Sequence, residues 1–187
     1  MKKLILPALL FSASMFAQKA SYIAVSVGSD IRNSIVGSEP TNNKPAFDGI
    51  AQIHFVGANV ELGMGYEAFP QLKFGRTFGS LGYQFPLYAY PFGEEIKTTF
   101  IPSVECSMIT RNITEKYIYQ GVHHVEESKR GFMSVGLNLA LQWQLNDSFA
   151  VQFATNILPR PDIAFLYGDN KTVISNYFKI LYTFNKN

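Results

Sequence analysis

The sequence predicts an all-β chain: an eight-stranded, antiparallel, up-and-down transmembrane β-barrel. Three observations point there. Hydrophobic residues make up 47% of the 187 positions and charged residues only 16%, against roughly 25% charged in soluble domains. After about residue 20, apolar side chains recur at every second position and not at helical spacing. That part of the chain holds no run of about 18 apolar residues, so no membrane-spanning helix can form from it.

The first residues carry an address. Lys2 and Lys3 are followed by the apolar run from Leu4 to Phe11, then by Ser12, Ala13 and Ser14. This is the layout of a secretory signal peptide over residues 1–17, with Ala17 before the cut and the barrel domain at 18–187. The net charge of +2 is matched by Lys2 and Lys3 alone, so the mature chain is neutral and carries no footprint for nucleic acid. Aromatic content of 14% excludes a disordered chain. The single cysteine, Cys106, excludes an intrachain disulfide and any multi-cysteine metal cluster, and it is expected to pack as a small apolar residue. Export with so little cysteine points to a bacterial envelope.

The strands follow in order. Over 21–29, Ile23, Val25 and Val27 oppose Tyr22, Ala24, Ser26 and Gly28. Over 47–57, Phe47, Ala51, Ile53 and Phe55 oppose Asp48, Gln52 and His54. After a turn at 57–59, Leu62, Met64 and Tyr66 oppose Glu61, Gly63, Gly65 and Glu67. Over 76–90, Leu81, Tyr83, Phe85 and Leu87 oppose Ser80, Gly82 and Gln84. A turn near 93–95 leads to a fifth strand over 98–110, weakened by Pro102, which has no N–H for a ladder. The sixth, over 133–144, sets Met133, Val135, Leu137, Leu139, Leu141 and Trp143 against Ser134, Asn138, Gln142 and Gln144. Phe149, Val151 and Phe153 form the seventh, and Phe178, Ile180, Tyr182 and Phe184 the last.

The connections alternate in length. Those near 57–59, 93–97 and 145–147 are short, while 30–45, 69–75, 111–130 and 156–173 read as long loops. Short turns at one end, long loops at the other and an even strand count are what a membrane barrel requires. The apolar face then looks outward, and Tyr83, Trp143, Tyr182 and Phe184 fall near interfaces with Leu137 and Leu139 on the lipid face. The inward set is Gly, Ser, Gln, Asn and a polar network of Asp48, His54, Glu61, Glu67, Arg76, Glu105 and Lys179. Its charges are expected to pair across the lumen as a static plug, with a gated ion path as the alternative.

These eight segments resemble the small eight-stranded outer-membrane barrel proteins of the OmpA transmembrane-domain and OmpX type. The resemblance implies the outer membrane of a Gram-negative cell, with outer-membrane lipid and lipopolysaccharide around the barrel. The terminal strand ending in Phe184 resembles the signal read by the barrel-assembly machinery, although residues 185–187 follow it. It implies a non-enzymatic role in which external loops serve structure, adhesion or docking to an envelope complex. No cofactor and no metal are expected.

Two other readings exist. Some barrels of this type act on lipid A with a rim serine and histidine, and His123, His124, Glu126, Glu127 and Ser128 offer those residue types. A solvated loop is the preferred reading of that cluster. A soluble lipocalin-like carrier would place the apolar face inside. The segment 157–167 is more apolar than a solvated loop: it packs over the barrel mouth or binds a partner, or part of it extends a strand.

Overall fold

The computed structural model describes residues 22–37, 44–87, 97–119, 122–168 and 171–184. The segment 1–17 read as a signal peptide, the turn near 93–95 and residues 185–187 lie outside the described residues. Eight strands lie within them: β1 (Tyr22–Asp30), β2 (Gly49–Gly57), β3 (Val60–Phe69), β4 (Phe74–Tyr83, continued by Phe85–Leu87), β5 (Lys97–Tyr119), β6 (Val122–Gln144), β7 (Phe149–Arg160) and β8 (Lys171–Phe184). An α-helix, α1 (Pro161–Tyr167), joins β7 to β8, and a single π-helical turn, Arg32–Val36, follows β1. Every strand pairs antiparallel with its neighbours in sequence, and β8 returns to β1 with Ile23 opposite Phe184 and Asp30 opposite Tyr177. Closure removes the sheet edges that hydrocarbon cannot hydrate.

Local chemistry sets the turns. Ala58 and Asn59 both have positive φ, 50° and 67°, the two-residue geometry that matches strand twist. Asn146 Oδ1 accepts the amides of Ser148 and Phe149 at 2.9 and 2.8 Å, closing the β6–β7 turn. At the opposite end, Pro70 starts a single tight turn, Pro70–Leu72, and Lys73 at φ 48° completes it. Pro102 sits inside β5, opposite Leu139 of β6. Its other neighbour, β4, pauses there: Gly82 faces Ser103 and Phe85 faces Phe100, with the ladder lapsing between. Gln84 N instead donates to Asn59 O at 2.7 Å. The missing proline N–H thus falls at an interruption and not in a continuous ladder.

Three long-loop expectations need correction. Residues 111–130 are mostly strand, because β5 and β6 each run for 23 residues and pair from Lys97–Gln144 to Tyr119–Val122. The connection at 69–75 is only the Pro70 turn. The segment 156–173 continues β7 to Arg160, forms α1 and begins β8 at Lys171. Beyond the membrane, water wets both faces of a strand, so apolar alternation is not required and the periodic signal stops before the strand does.

The faces separate as the period demands. Val27, Phe47 and Met133 are 62%, 62% and 86% exposed on the outside, while Ser26, Gln152 and Lys179 are inside and nearly sealed. Tyr83, Leu137 and Leu139 are exposed on the outer wall, and Trp143 is half-buried. Tyr182 stands between Phe149 and Phe184, with ring centroids 5.2 and 4.8 Å away, and Tyr83 meets Phe85 at 4.7 Å. These rings ring the short-turn end. Cys106 is exposed on the outer face. The interior is not purely polar. Ile50, Phe78, Ile101 and Tyr177 form one internal cluster, and Ala46, Phe69, Phe74, Ile109 and Leu158 another. Tight inward glycines make room for long neighbours: a Cβ on Gly63 would lie 2.2 Å from Gln52 Nε2.

Candidate functional site

The candidate site is the filled interior and its mouth. Asp48, His54, Glu61, Glu67, Arg76, Glu105 and Lys179 are all buried inside the cylinder. Period two aims them inward from β2, β3, β4, β5 and β8, with Asp48 just ahead of β2.

Arg76 of β4 is the centre of one cluster. Its Nε lies 2.6 Å from Glu67 Oε2, although that N–H is not aimed well enough to count as a hydrogen bond. Its NH1 donates to Glu105. Tyr177 donates to Glu67 at 2.7 Å, and Ser107 and Asn156 donate to Glu105 at 2.9 and 3.1 Å. The guanidinium also stacks over Phe78, 4.7 Å from the ring centre. Lys179 reaches Gln52 Oε1 at 3.1 Å, and its stem passes over Gly28, where a Cβ would meet Lys179 Cγ at 2.7 Å. An ion pair this deep is held by its hydrogen bonds, because each charge left alone would be unsolvated.

A second cluster contains a serine–histidine–carboxylate row. Ser26 Oγ and His54 Nε2 are 2.8 Å apart, and His54 Nδ1 lies 2.8 Å from Glu61 Oε1. Gln84 Nε2 donates to Glu61 Oε2 at 2.8 Å and to Tyr22 OH at 3.0 Å. The order of groups is that of a nucleophile, base and orienter. Here Ser26 and His54 are each 2% exposed, so no acyl group can approach Oγ. The row holds the wall together across β1, β2, β3 and β4.

At the loop end, a cavity of about 230 Å³ is lined by Asp30, Asp48 and Glu67 and by Arg32, Arg111 and Arg160. Asp30 accepts the amides of Asn33 and Asn176 at 2.8 and 3.2 Å, and Asn33 Nδ2 reaches Asp48 Oδ2 at 2.6 Å. α1 closes one side. Its Asp162 is fully buried and takes Arg160 Nε and NH2, both at 2.7 Å, and Arg111 NH1 at 3.0 Å. Burial pushes the Asp162 carboxyl up, but the two arginines outweigh it and hold its pKa below the usual value. The apolar segment therefore divides: Leu158 extends β7 into the internal cluster, and α1 sits over the rim.

The alternative reading, a rim serine and histidine acting on lipid A, finds no matching geometry at His123, His124 and Ser128. His124 and Ser128 lie four positions apart on one straight strand, β6, so their Cα atoms are about 13 Å apart. His123 and His124 are adjacent on that strand and project to opposite faces. The carrier arrangement is also reversed, since the large apolar side chains are outside. Among the described residues, no group of three His, Cys, Asp or Glu residues could hold a metal ion.

Sequence reasoning missed Ser26, Gln52, Gln84, Ser107, Asn156 and Tyr177. Ser26, Gln52 and Gln84 stood on inward faces, so period alone marked their direction but not their partners. Arg111 and Asp162 had no signal, because each lay in a segment read as loop.

The structure is an eight-stranded membrane-type β-barrel: apolar outside, polar and packed inside. Its fold is that of small outer-membrane barrels. Over 89% of this chain and 98% of the other, it is similar to the N-terminal β-barrel domain of Pseudomonas aeruginosa OprF, with 15% identity and a TM-score of 0.52. Neisserial surface protein A matches 88% of this chain and 94% of its own at 10% identity and a TM-score of 0.44. The Yersinia pestis outer membrane protein Ail matches 88% and 99% at 12% identity and a TM-score of 0.45. No known family profile matches the sequence, and no curated protein matches it.

Proposed function

We propose that this chain is a non-enzymatic barrel of the Gram-negative outer membrane, and that its work is done by what it presents outside. Residues 1–17 direct export, and the strand ending in Phe184 is read by the barrel-assembly machinery. Outer-membrane lipid surrounds Leu137, Leu139 and their neighbours, with lipopolysaccharide in the outer leaflet. The seven polar residues from Asp48 to Lys179 serve as a plug that keeps the cylinder round, and the external hairpin and α1 serve adhesion or docking.

One observation carries this reading. β5 and β6 remain paired to Tyr119–Val122, far past Arg111, where the ladder to β4 ends at Phe74. A hairpin that outruns its neighbouring strands, touched at its base by Lys73 and by Phe165 of α1, adds nothing to closure of the barrel and is well placed to meet other molecules. The packed lumen favours this over conduction. Intact cells treated with protease are the test. Cleavage confined to the β5–β6 tip, with a barrel fragment that still migrates faster unboiled than boiled, supports the reading. Cleavage only after the outer membrane is opened contradicts it.

A further inference from the structure

The projecting hairpin carries a charge pattern that is complementary to itself, one member of which, Glu127, also meets Lys73 of the β3–β4 turn at 3.2 Å in a solvent-exposed pair. On one edge β6 is paired with β5 along its whole length. On the other it is paired with β7 only from Leu137 to Gln144. The ladder to β7 lapses at Gly136, where β7 still lies alongside and Ser134 Oγ donates to Pro159 O at 2.6 Å; from Val122 to Met133 no strand pairs with that edge among the described residues. α1 touches it through Phe165, which packs on Phe132 at 5.8 Å and under the Arg130 guanidinium at 4.6 Å. An open edge presents a row of N–H and C=O groups ready for another strand.

The exposed residues along this edge read Glu126, Glu127, Ser128, Lys129, Arg130, with Ser128 half-buried at the centre. In an antiparallel pair of two such edges centred on Ser128, Glu126 faces Arg130 of the second copy and Glu127 faces Lys129. Both pairs recur on the other side of the axis, so four opposite-charge pairs form and no like-charge pair does. Directly opposed residues in an antiparallel pair are the closest cross-strand neighbours, so the match decides the register. Charges on an edge ordinarily keep other strands away. Here the order Glu-Glu-Ser-Lys-Arg repels most strands but suits its own copy.

Symmetry then fixes the arrangement. Two barrels side by side in one membrane send β6 in the same sense along the membrane normal, so their edges cannot run antiparallel. The two-fold axis must lie in the membrane plane, with the barrels facing each other from two membranes. We infer that the β6 edge around Ser128 is a homotypic contact site that joins two copies of this chain across apposed membranes. This deepens the display reading and rests on it. Each contact is small, but many copies on two surfaces act together.

The test uses the full barrel in phosphatidylcholine vesicles, with donor and acceptor dyes in separate populations and clustering read as energy transfer. The double swap Glu126→Lys with Lys129→Glu leaves composition and net charge unchanged but makes all four pairs like-charged. Full inversion, Glu126→Lys, Glu127→Lys, Lys129→Glu and Arg130→Glu, makes all four complementary again. The expected result is clustering with the natural chain, its loss in the double swap and its return in the inverted chain. Clustering by all three, or by none, overturns the inference. If the swap fails to insert, Glu127→Lys with Arg130→Glu imposes the same four mismatches. Faster migration of each unboiled protein reports an intact barrel separately, so loss of the contact and loss of the barrel are distinguished.

Discussion

The two ends of β5 and β6 belong to the same strands yet follow different rules. Near the turn end, Val104 and Met108 look outward while Glu105 and Ser107 look inward, and outward Leu137 and Leu139 alternate with inward Gly136 and Ala140. Past Arg111 and Gly131, the pairing continues through Thr114–Glu127, and the described β6 residues from His123 to Arg130 no longer alternate apolar with polar. Backbone pairing is common to both halves. What differs is the solvent: lipid demands an apolar wall, and water does not. The hydropathy period therefore records the membrane rather than the strand.

The largest expected effect comes from breaking the interior of the embedded half. Arg76→Leu leaves Glu67 and Glu105 buried without their cation. A loss of about 3–5 kcal/mol is expected in urea unfolding from micelles. Next comes the wall: Leu139→Arg is expected to cost about 2–4 kcal/mol if the position lies near mid-membrane. The matched change on the hairpin, Val125→Arg, is expected to stay within about 0.5 kcal/mol, because that side chain already faces water. Equal effects at the two positions would erase the comparison.

The rim gives a smaller and pH-dependent effect. Asp162→Asn removes the carboxylate shared by Arg160 and Arg111, and a loss of about 1–3 kcal/mol is expected, seen as faster amide exchange in α1. Since the folded pKa of Asp162 lies below its ordinary value, its contribution is complete above that ordinary value. It is lost as pH falls through the folded one. Protection of α1 in the natural chain should therefore hold at neutral pH and drop only in strong acid, and Asp162→Asn should abolish that acid dependence. Smaller than the rim effect, Ala58→Gly relieves a φ of 50° and should raise stability by about 0.5–1 kcal/mol, measured in the same urea titration.

How much was legible follows from the same contrast. Membrane strands were readable because Val27, Phe55, Leu81 and Ile180 had to face lipid at every second position. The inward direction of His54 or Glu105 came with that period. Their partners did not, since Ser26 meets His54 across β1 and β2 and Asn156 meets Glu105 from β7, at separations of 28 and 51 residues. The strand halves past Arg111 lacked the period. A different signal was present there, the β-branched and aromatic run Ile113, Thr114, Tyr117, Ile118 and Tyr119, and it favours a strand without any membrane. The internal apolar clusters were obscured for the opposite reason: Ile50, Phe78 and Ile101 are apolar on the polar side.

The direction of the two faces is tested most directly by spin labels placed one at a time at positions 135 to 140 of β6 in a Cys106→Ser chain, with collisions to lipid-soluble oxygen and a water-soluble nickel complex compared. Labels at 135, 137 and 139 should meet oxygen and not nickel, while 136, 138 and 140 are shielded from the lipid phase, giving a period of two. Labels at 136, 138 and 140 colliding with oxygen instead, or nickel reaching 135, 137 and 139, would contradict a barrel that turns its apolar face to the membrane.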